Sequence, residues 1–207
     1  MRRCFLLAVI TIAVLLFPCL ALLSSRARAA EEVKPIPAAD AEKRTAQTRD
    51  FLLDRIAEQI DKNWHAGKWD ECIRLLRQNI EIDPTDTEAY TDLGWVLANL
   101  KRDAEAAAAY KSGIAANPKS FDIPHHFGMF YSRRKKYEQA IEQFRLAAKN
   151  GAPQAWQHML PDTLEKVGRK QEALDQWREL LKRFPNDPIA KEHIKALEKA
   201  VEKAQPA

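Results

Sequence analysis

The sequence is poor in glycine, with 6 in 207 residues, and poorer still in cysteine, with 3. So few glycines leave no glycine-rich loop to cradle a phosphate, and no nucleophile motif replaces it. Cys4 and Cys19 lie in the apolar N-terminal stretch, which leaves Cys72 without an intrachain partner and excludes both a disulfide framework and a cysteine zinc site. A surplus of charge is also missing once residues 1–29 are set aside. That stretch holds Arg2, Arg3, Arg26 and Arg28 and no acidic residue, so the remainder balances 29 basic against 29 acidic side chains. The basicity of the whole chain belongs to its leader, and nucleic acid is not an expected partner. These absences point away from an enzyme, and no cofactor is expected.

What the N-terminus does have is an uncharged run from Cys4 to Leu23, preceded by Arg2 and Arg3 and followed by Ala27-Arg28-Ala29. The basic start, apolar run and small-x-small site read as a signal peptide over 1–29 for the general secretory route. The run is also long enough to cross a bilayer, so an uncleaved anchor is the alternative. In both cases the positive start keeps the N-terminus inside and sends the rest out, giving a periplasmic or secreted protein, or one anchored in the inner membrane with its domain outside the cytoplasm. Residues 30–39, with Pro35 and Pro37, read as a linker.

From residue 40 to 204 the pattern is helical and repeats. Trp69, Asp103 and Tyr137 are 34 apart, and Cys72, Ala106, Ala140 and Ala173 follow at 34, 34 and 33. Leu76, Tyr110, Phe144 and Trp177 keep the same intervals, and Pro84 and Pro118 are again 34 apart. Each period holds two amphipathic helices with a small residue where they cross and a bulky one a turn later. The units run over 53–86, 87–120, 121–153 and 154–187, and a last helix over 188–204 carries Ile194, Leu197 and Val201 on one side and charge on the other. A helix of that kind closes the apolar end of a stack. Thr85 with Glu88, Ser120, and Asp187 before Pro188 read as helix starts.

The second unit carries Leu93-Gly94, Leu97, Ala106, Tyr110 and Pro118, and the third carries Phe127-Gly128, Tyr131, Tyr137, Ala140, Phe144 and Ala147. These residues resemble the tetratricopeptide repeat family and its W-x2-L-G-x2-Y…A-x3-F…P pattern. The resemblance implies an all-α, right-handed superhelical solenoid of about four helix pairs, with an N-terminal helical extension and a capping helix. The fourth unit departs from the pattern in having Pro161 where a packing glycine is expected. Its first helix should therefore break there, whereas Pro124 should be tolerated in a first turn. Cys72, at a helix crossing, should be buried.

The resemblance also implies a groove lined by the first helix of each pair. Its positions fall on Asp54, Glu58, Asp61, Trp64 and His65, then on Glu88, Asp92, Trp95 and Asn99. The third unit contributes Asp122, His125, His126 and Met129, and the fourth His158, Met159 and Asp162. Chaperone-binding relatives hold a C-terminal carboxylate with Lys, Asn and Arg. Here Ala57, Asp61, Asp92, Asp122 and His126 occupy those positions, so that clamp is absent. Acidic groups near helix starts also complement the helix dipole, but Asp61 and Asp92 lie beyond the first turn and favour a basic or apolar peptide segment. Trp64 and Trp95 either stack on such a segment or form part of the core.

Three functions follow as expectations. The first is an exported scaffold or adaptor that holds a partner polypeptide. The second is a metal- or haem-handling protein using His125, His126, Met129, His158 and Met159, although no pair has the tight spacing of a dedicated site. The third is a membrane-anchored structural subunit docking along a basic edge of Lys68, Arg102, Lys136 and Arg169, one at each turn between paired helices. Those cations also complement a helix C-terminus, or an anionic lipid surface.

Overall fold

A computed structural model describes residues 37–202, and among these there is no strand. The leader and most of the linker lie outside the described residues. No described helix is long and apolar enough to cross a membrane. The helices are α1 (Ala38–His65), α2 (Trp69–Ile82), α3 (Thr87–Asn99), α4 (Asp103–Ala116), α5 (Asp122–Arg133), α6 (Tyr137–Lys149), α7 (Gln154–Gln157), α8 (Met159–Lys166), α9 (Lys170–Arg183) and α10 (Pro188–Glu202). The described residues up to Thr48 belong to a first unit. In it the hydroxyls of Thr45 and Thr48 donate to carbonyls one turn back, at 2.8 Å each, on an exposed stretch of helix. The linker ends two residues sooner than the composition suggests, because the Pro37 carbonyl already accepts the Ala41 amide.

The second unit, from Arg49 onward, contains the repeats. Helices adjacent in sequence pack on one another: α3 on α4, α5 on α6, α8 on α9, and α9 on α10. The small residues decide how close they come. A methyl group at Gly128 would sit 2.5 Å from the Phe144 ring, and one at Gly94 would overlap the Tyr110 ring. Ala106, Ala140 and Ala173 are fully buried at the equivalent crossings, and so is Cys72. Burial pushes the Cys72 thiol above its usual range.

Every turn between paired helices has the same form. Gly67, Lys101, Lys135 and Gly168 take positive φ values of 66°, 62°, 58° and 81°. The following amides, of Lys68, Arg102, Lys136 and Arg169, donate back five residues to Asn63, Leu97, Tyr131 and Leu164 at 2.9–3.0 Å. This is a Schellman closure, which satisfies carbonyls left open at a helix end and favours glycine at the left-handed position. Between pairs, the Asn117 amide donates to the Pro84 carbonyl and the Asn150 amide to the Pro118 carbonyl, both at 3.0 Å, tying successive turns together.

The proline expectations hold. α7 stops at Gln157 and α8 starts at Met159, so the helix breaks one turn before Pro161, whose missing amide cannot serve the Gln157 carbonyl. Among the described residues this gives ten helical segments, one a single turn, where about nine are expected from the sequence. Pro124 lies in the first turn of α5. The expected starts shift in two cases. Asp83 captures the Thr85 amide and hydroxyl at 2.9 and 2.6 Å, so the carboxylate of Asp86 caps α3 by accepting the Ala89 amide. Ser120 does not cap α5, which Phe121 precedes without a side-chain bond. Asp187 does cap α10, accepting the amides of Ile189 and Ala190 at 3.0 and 3.1 Å.

Candidate peptide-binding groove

The part of α1 after Thr48, with α2 and α3, encloses a hollow of about 570 Å³. Its walls carry Asp54, Asp61 and His65 from α1, and Glu88 and Asp92 from α3 with Asp86 at its cap; Leu76 and Ala89 are apolar surface beneath them. Asp92 is half-buried. Burial, reinforced by the charges of Glu88 and Asp86, pushes its carboxyl up to about 6. It has no ion-pair partner among the described residues.

An aromatic group closes one end. Trp64 and Trp95 stack with ring centroids 5.1 Å apart and planes 20° apart, and Trp69 meets both edge-on. Trp64 packs against the core, while Trp95 remains 37% exposed. Trp64 thus takes the core reading, and Trp95 stacks on it while keeping part of its surface exposed. Beyond Trp95 a second hollow of about 410 Å³ lies between α3 and α5, lined by Asn99, His126, Met129 and Arg133. His125 also reaches it but is buried, stacked on Trp156 at 4.0 Å, with no hydrogen-bond partner for Nδ1. Burial drives its imidazole down to about 4 and lowers His126 as well.

Other expected groove residues lie elsewhere. Glu58 is paired with Arg55 at 2.6 Å on the exposed side of α1. Asp122 lines the turn between α4 and α5. His158 is buried, and its Nε2 meets the Asp187 carboxylate at 2.7 Å. It ties the broken helix to the start of α10, which removes it from any groove. Met159 packs against the core, and Asp162 stands beside Glu165 and His193. The His/Met set is therefore dispersed: His125 is sealed by Trp156, His158 is occupied by Asp187, and Met159 faces apolar neighbours. Trp69 and Trp156, which partner these rings, fall outside the groove positions that the repeat assigns. Trp69 was legible only as a repeat marker, and Trp156 had no periodic signal.

The basic edge is also altered. Arg102 pairs with Glu105 at 2.8 Å and with Asp70 of the preceding pair at 3.5 Å. Arg169 pairs with Glu172 at 2.6 Å and with Glu138 of the preceding pair at 2.7 Å. Arg134, beside Lys136, chelates Asp103 at 2.5 and 2.6 Å, donates to the Ala98 carbonyl at 3.0 Å and lies 4.1 Å over the Phe130 ring. Lys68 and Lys136 have no ion pair among the described residues. The arginines link successive pairs, because the turns stack and each first-turn carboxylate comes within reach of the next turn's cation.

Residues 24–186 match the tetratricopeptide repeat family. The chain belongs to that family. Among characterised proteins, it is 29% identical over 126 residues to the cytochrome c-type biogenesis protein CycH of Bradyrhizobium diazoefficiens, covering 59% of this chain and 34% of that protein. It is 28% identical over 92 residues to the protein O-mannosyl-transferase Tmtc2 of Drosophila melanogaster, covering 44% of this chain and 10% of that protein. The chain thus spans about a third and a tenth of these two relatives.

Solved tetratricopeptide repeat structures share the fold. MamA superimposes with a TM-score of 0.56 at 16% identity, covering 72% of this chain and 81% of its own. PilF of Pseudomonas aeruginosa gives 0.56 at 18%, covering 75% and 72%. YrrB, described as a TPR protein with an unusual peptide-binding site, gives 0.52 at 15%, covering 70% and 76%. Tetratricopeptide repeat domains bind peptides or proteins, and a scaffold for protein–protein interaction is the function this fold supports.

Proposed function

We propose that this tetratricopeptide repeat protein is an exported scaffold whose inner face holds a partner segment carrying Lys or Arg together with an apolar side chain. The observation that carries the reading is Asp92: a half-buried carboxylate without a cationic partner, beside two further acids and next to an exposed tryptophan. A lysine or arginine entering the hollow supplies the missing charge, and its aliphatic stem packs on Trp95. The apolar surface of Leu76 and Ala89 takes the neighbouring side chain. Export rests on the basic start, apolar run and cleavage-like site of residues 1–29. The relationship to a cytochrome c-type biogenesis protein makes assembly of c-type cytochromes in the cell envelope the process in which to seek the partner.

The test is a titration of the purified protein with two fluorescent peptides of one length, one carrying Lys, Arg and Leu and the other with Glu in place of each cation. The basic peptide should bind with an affinity that falls as salt rises, and the acidic peptide should not bind. Equal binding of both would overturn the reading. A fusion of residues 1–40 to a reporter active only outside the cytoplasm tests export separately. A silent reporter would contradict it.

A further inference from the structure

Asp162 and Glu165 are three residues apart on α8, so their carboxylates leave the same face of the helix. The capping helix α10 lays His193 against that face. One ligand atom from each of the three lies within 4.8 Å of the other two. Around a zinc ion with bonds of about 2.1 Å, tetrahedral ligand atoms stand roughly 3.4 Å apart, so side-chain adjustments of about an ångström close the set.

Two of the ligands are already oriented by their neighbours. The fully buried Trp177 donates its indole N–H to Glu165 Oε1 at 2.8 Å and stacks on His193 at 4.5 Å, while His193 Nδ1 meets the same carboxylate oxygen at 2.7 Å. Trp177 is an outer partner of the kind that holds ligating groups in metal sites, while the His193–Glu165 hydrogen bond brings two of the ligands together. A histidine–glutamate hydrogen bond at the end of the domain accounts for these two residues but leaves Asp162 unexplained. The Asp162 carboxylate has no hydrogen bond or ion pair among the described residues, and no lysine or arginine pairs with Glu165 there. Two carboxylates and one imidazole give a charge that a divalent cation neutralises, and a mixed nitrogen and oxygen set suits zinc better than the all-oxygen surroundings of calcium or magnesium.

We infer that Asp162, Glu165 and His193 form a zinc-type divalent metal site that staples the capping helix to the last repeat. Water completes the coordination. The site differs from the His/Met set considered from the sequence, and it does not depend on the groove reading.

Calorimetric titration of the purified full chain with zinc chloride, with magnesium chloride as control, tests it. One equivalent of zinc should bind, magnesium should not, and zinc should raise the melting temperature. His193→Ala and Asp162→Asn should each weaken zinc binding about tenfold or more. Asp162→Asn leaves the His193–Glu165 hydrogen bond in place and removes only a part-buried carboxylate, so without zinc it should melt no lower than the parent protein. Absence of zinc uptake by the parent protein would overturn the site. So would unchanged binding in both variants, which would place the metal elsewhere, or magnesium binding tighter than zinc.

Discussion

Replacing Asp92 by asparagine tests whether the groove carries a charge held at a cost to the fold. The carboxyl is raised from 3.8 to about 6 by burial and by Glu88 and Asp86. A raised carboxyl binds its proton more tightly in the folded state, so between about pH 4 and pH 6 the folded protein takes up more proton than the unfolded chain. Stability therefore falls as pH rises through that window, opposite to the behaviour of an ion-paired carboxylate. The shift corresponds to roughly 3 kcal/mol at 1.36 kcal/mol per pK unit, and solvent at the open side of the hollow reduces this to about 1–2 kcal/mol. At pH 7.5 Asp92→Asn should be more stable by that amount, a rise of about 3–6 °C in melting temperature for a domain of this size. Toward pH 4, where Asp92 is neutral in the folded state and only about half ionised in the unfolded chain, most of the difference should disappear. Thermal melts of both proteins from pH 4 to 8 read this directly. Equal stability at pH 7.5, or a gain that persists unchanged at pH 4, would refute the reasoning. A stability cost of this kind at a binding surface is common in proteins, because the group is kept for its ligand.

Lys101→Gly and Lys135→Gly should each stabilise the domain by roughly 1 kcal/mol, since both lysines occupy left-handed backbone that glycine enters without strain; melting curves check it, and a loss of stability would mean the side chains themselves hold the turns. Gly128→Ala should destabilise by about 1–3 kcal/mol, because its methyl group meets the buried Phe144 ring at 2.5 Å. Urea denaturation measures that change. Arg134→Ala should cost about 1–2 kcal/mol through loss of the Asp103 bonds, the Ala98 bond and the Phe130 contact, and a double-mutant cycle with Asp103→Ala should show coupling between the two.

The repeat was readable because packing imposes it. Wherever helices cross, only a small residue fits, so Cys72, Ala106, Ala140 and Ala173 mark the period, and Gly94 and Gly128 mark the ring beneath them. The break before Pro161 followed from one missing amide. Helix starts were less legible at Thr85, because two acids flank it and the local contest between Asp83 and Asp86 depends on geometry. Of the groove residues, those on α1 and α3 other than Glu58 fall where repeat position puts them. His158 does not, since its partner Asp187 is 29 residues away and the sequence shows it only as a cap. The edge cations were visible as a periodic series, but Asp70 and Glu138, which pair with Arg102 and Arg169 from the preceding pair, are revealed only by the stacking of turns.

The central claim is that partner binding lies in the groove at Trp95 and Asp92. The most direct measurement is the affinity of the Lys-Arg-Leu peptide for the parent protein, for Trp95→Ala and for a variant with Lys68 and Lys136 changed to Glu, compared at one salt concentration. Lys68 and Lys136 are chosen because they carry no ion pair among the described residues, so their reversal tests the edge without breaking the arginine links. Trp95→Ala should weaken binding by about 2 kcal/mol or more, as loss of an aromatic anchor does, and the edge variant should bind like the parent. Binding lost in the edge variant and retained in Trp95→Ala would contradict the account and move the interaction surface to the turns.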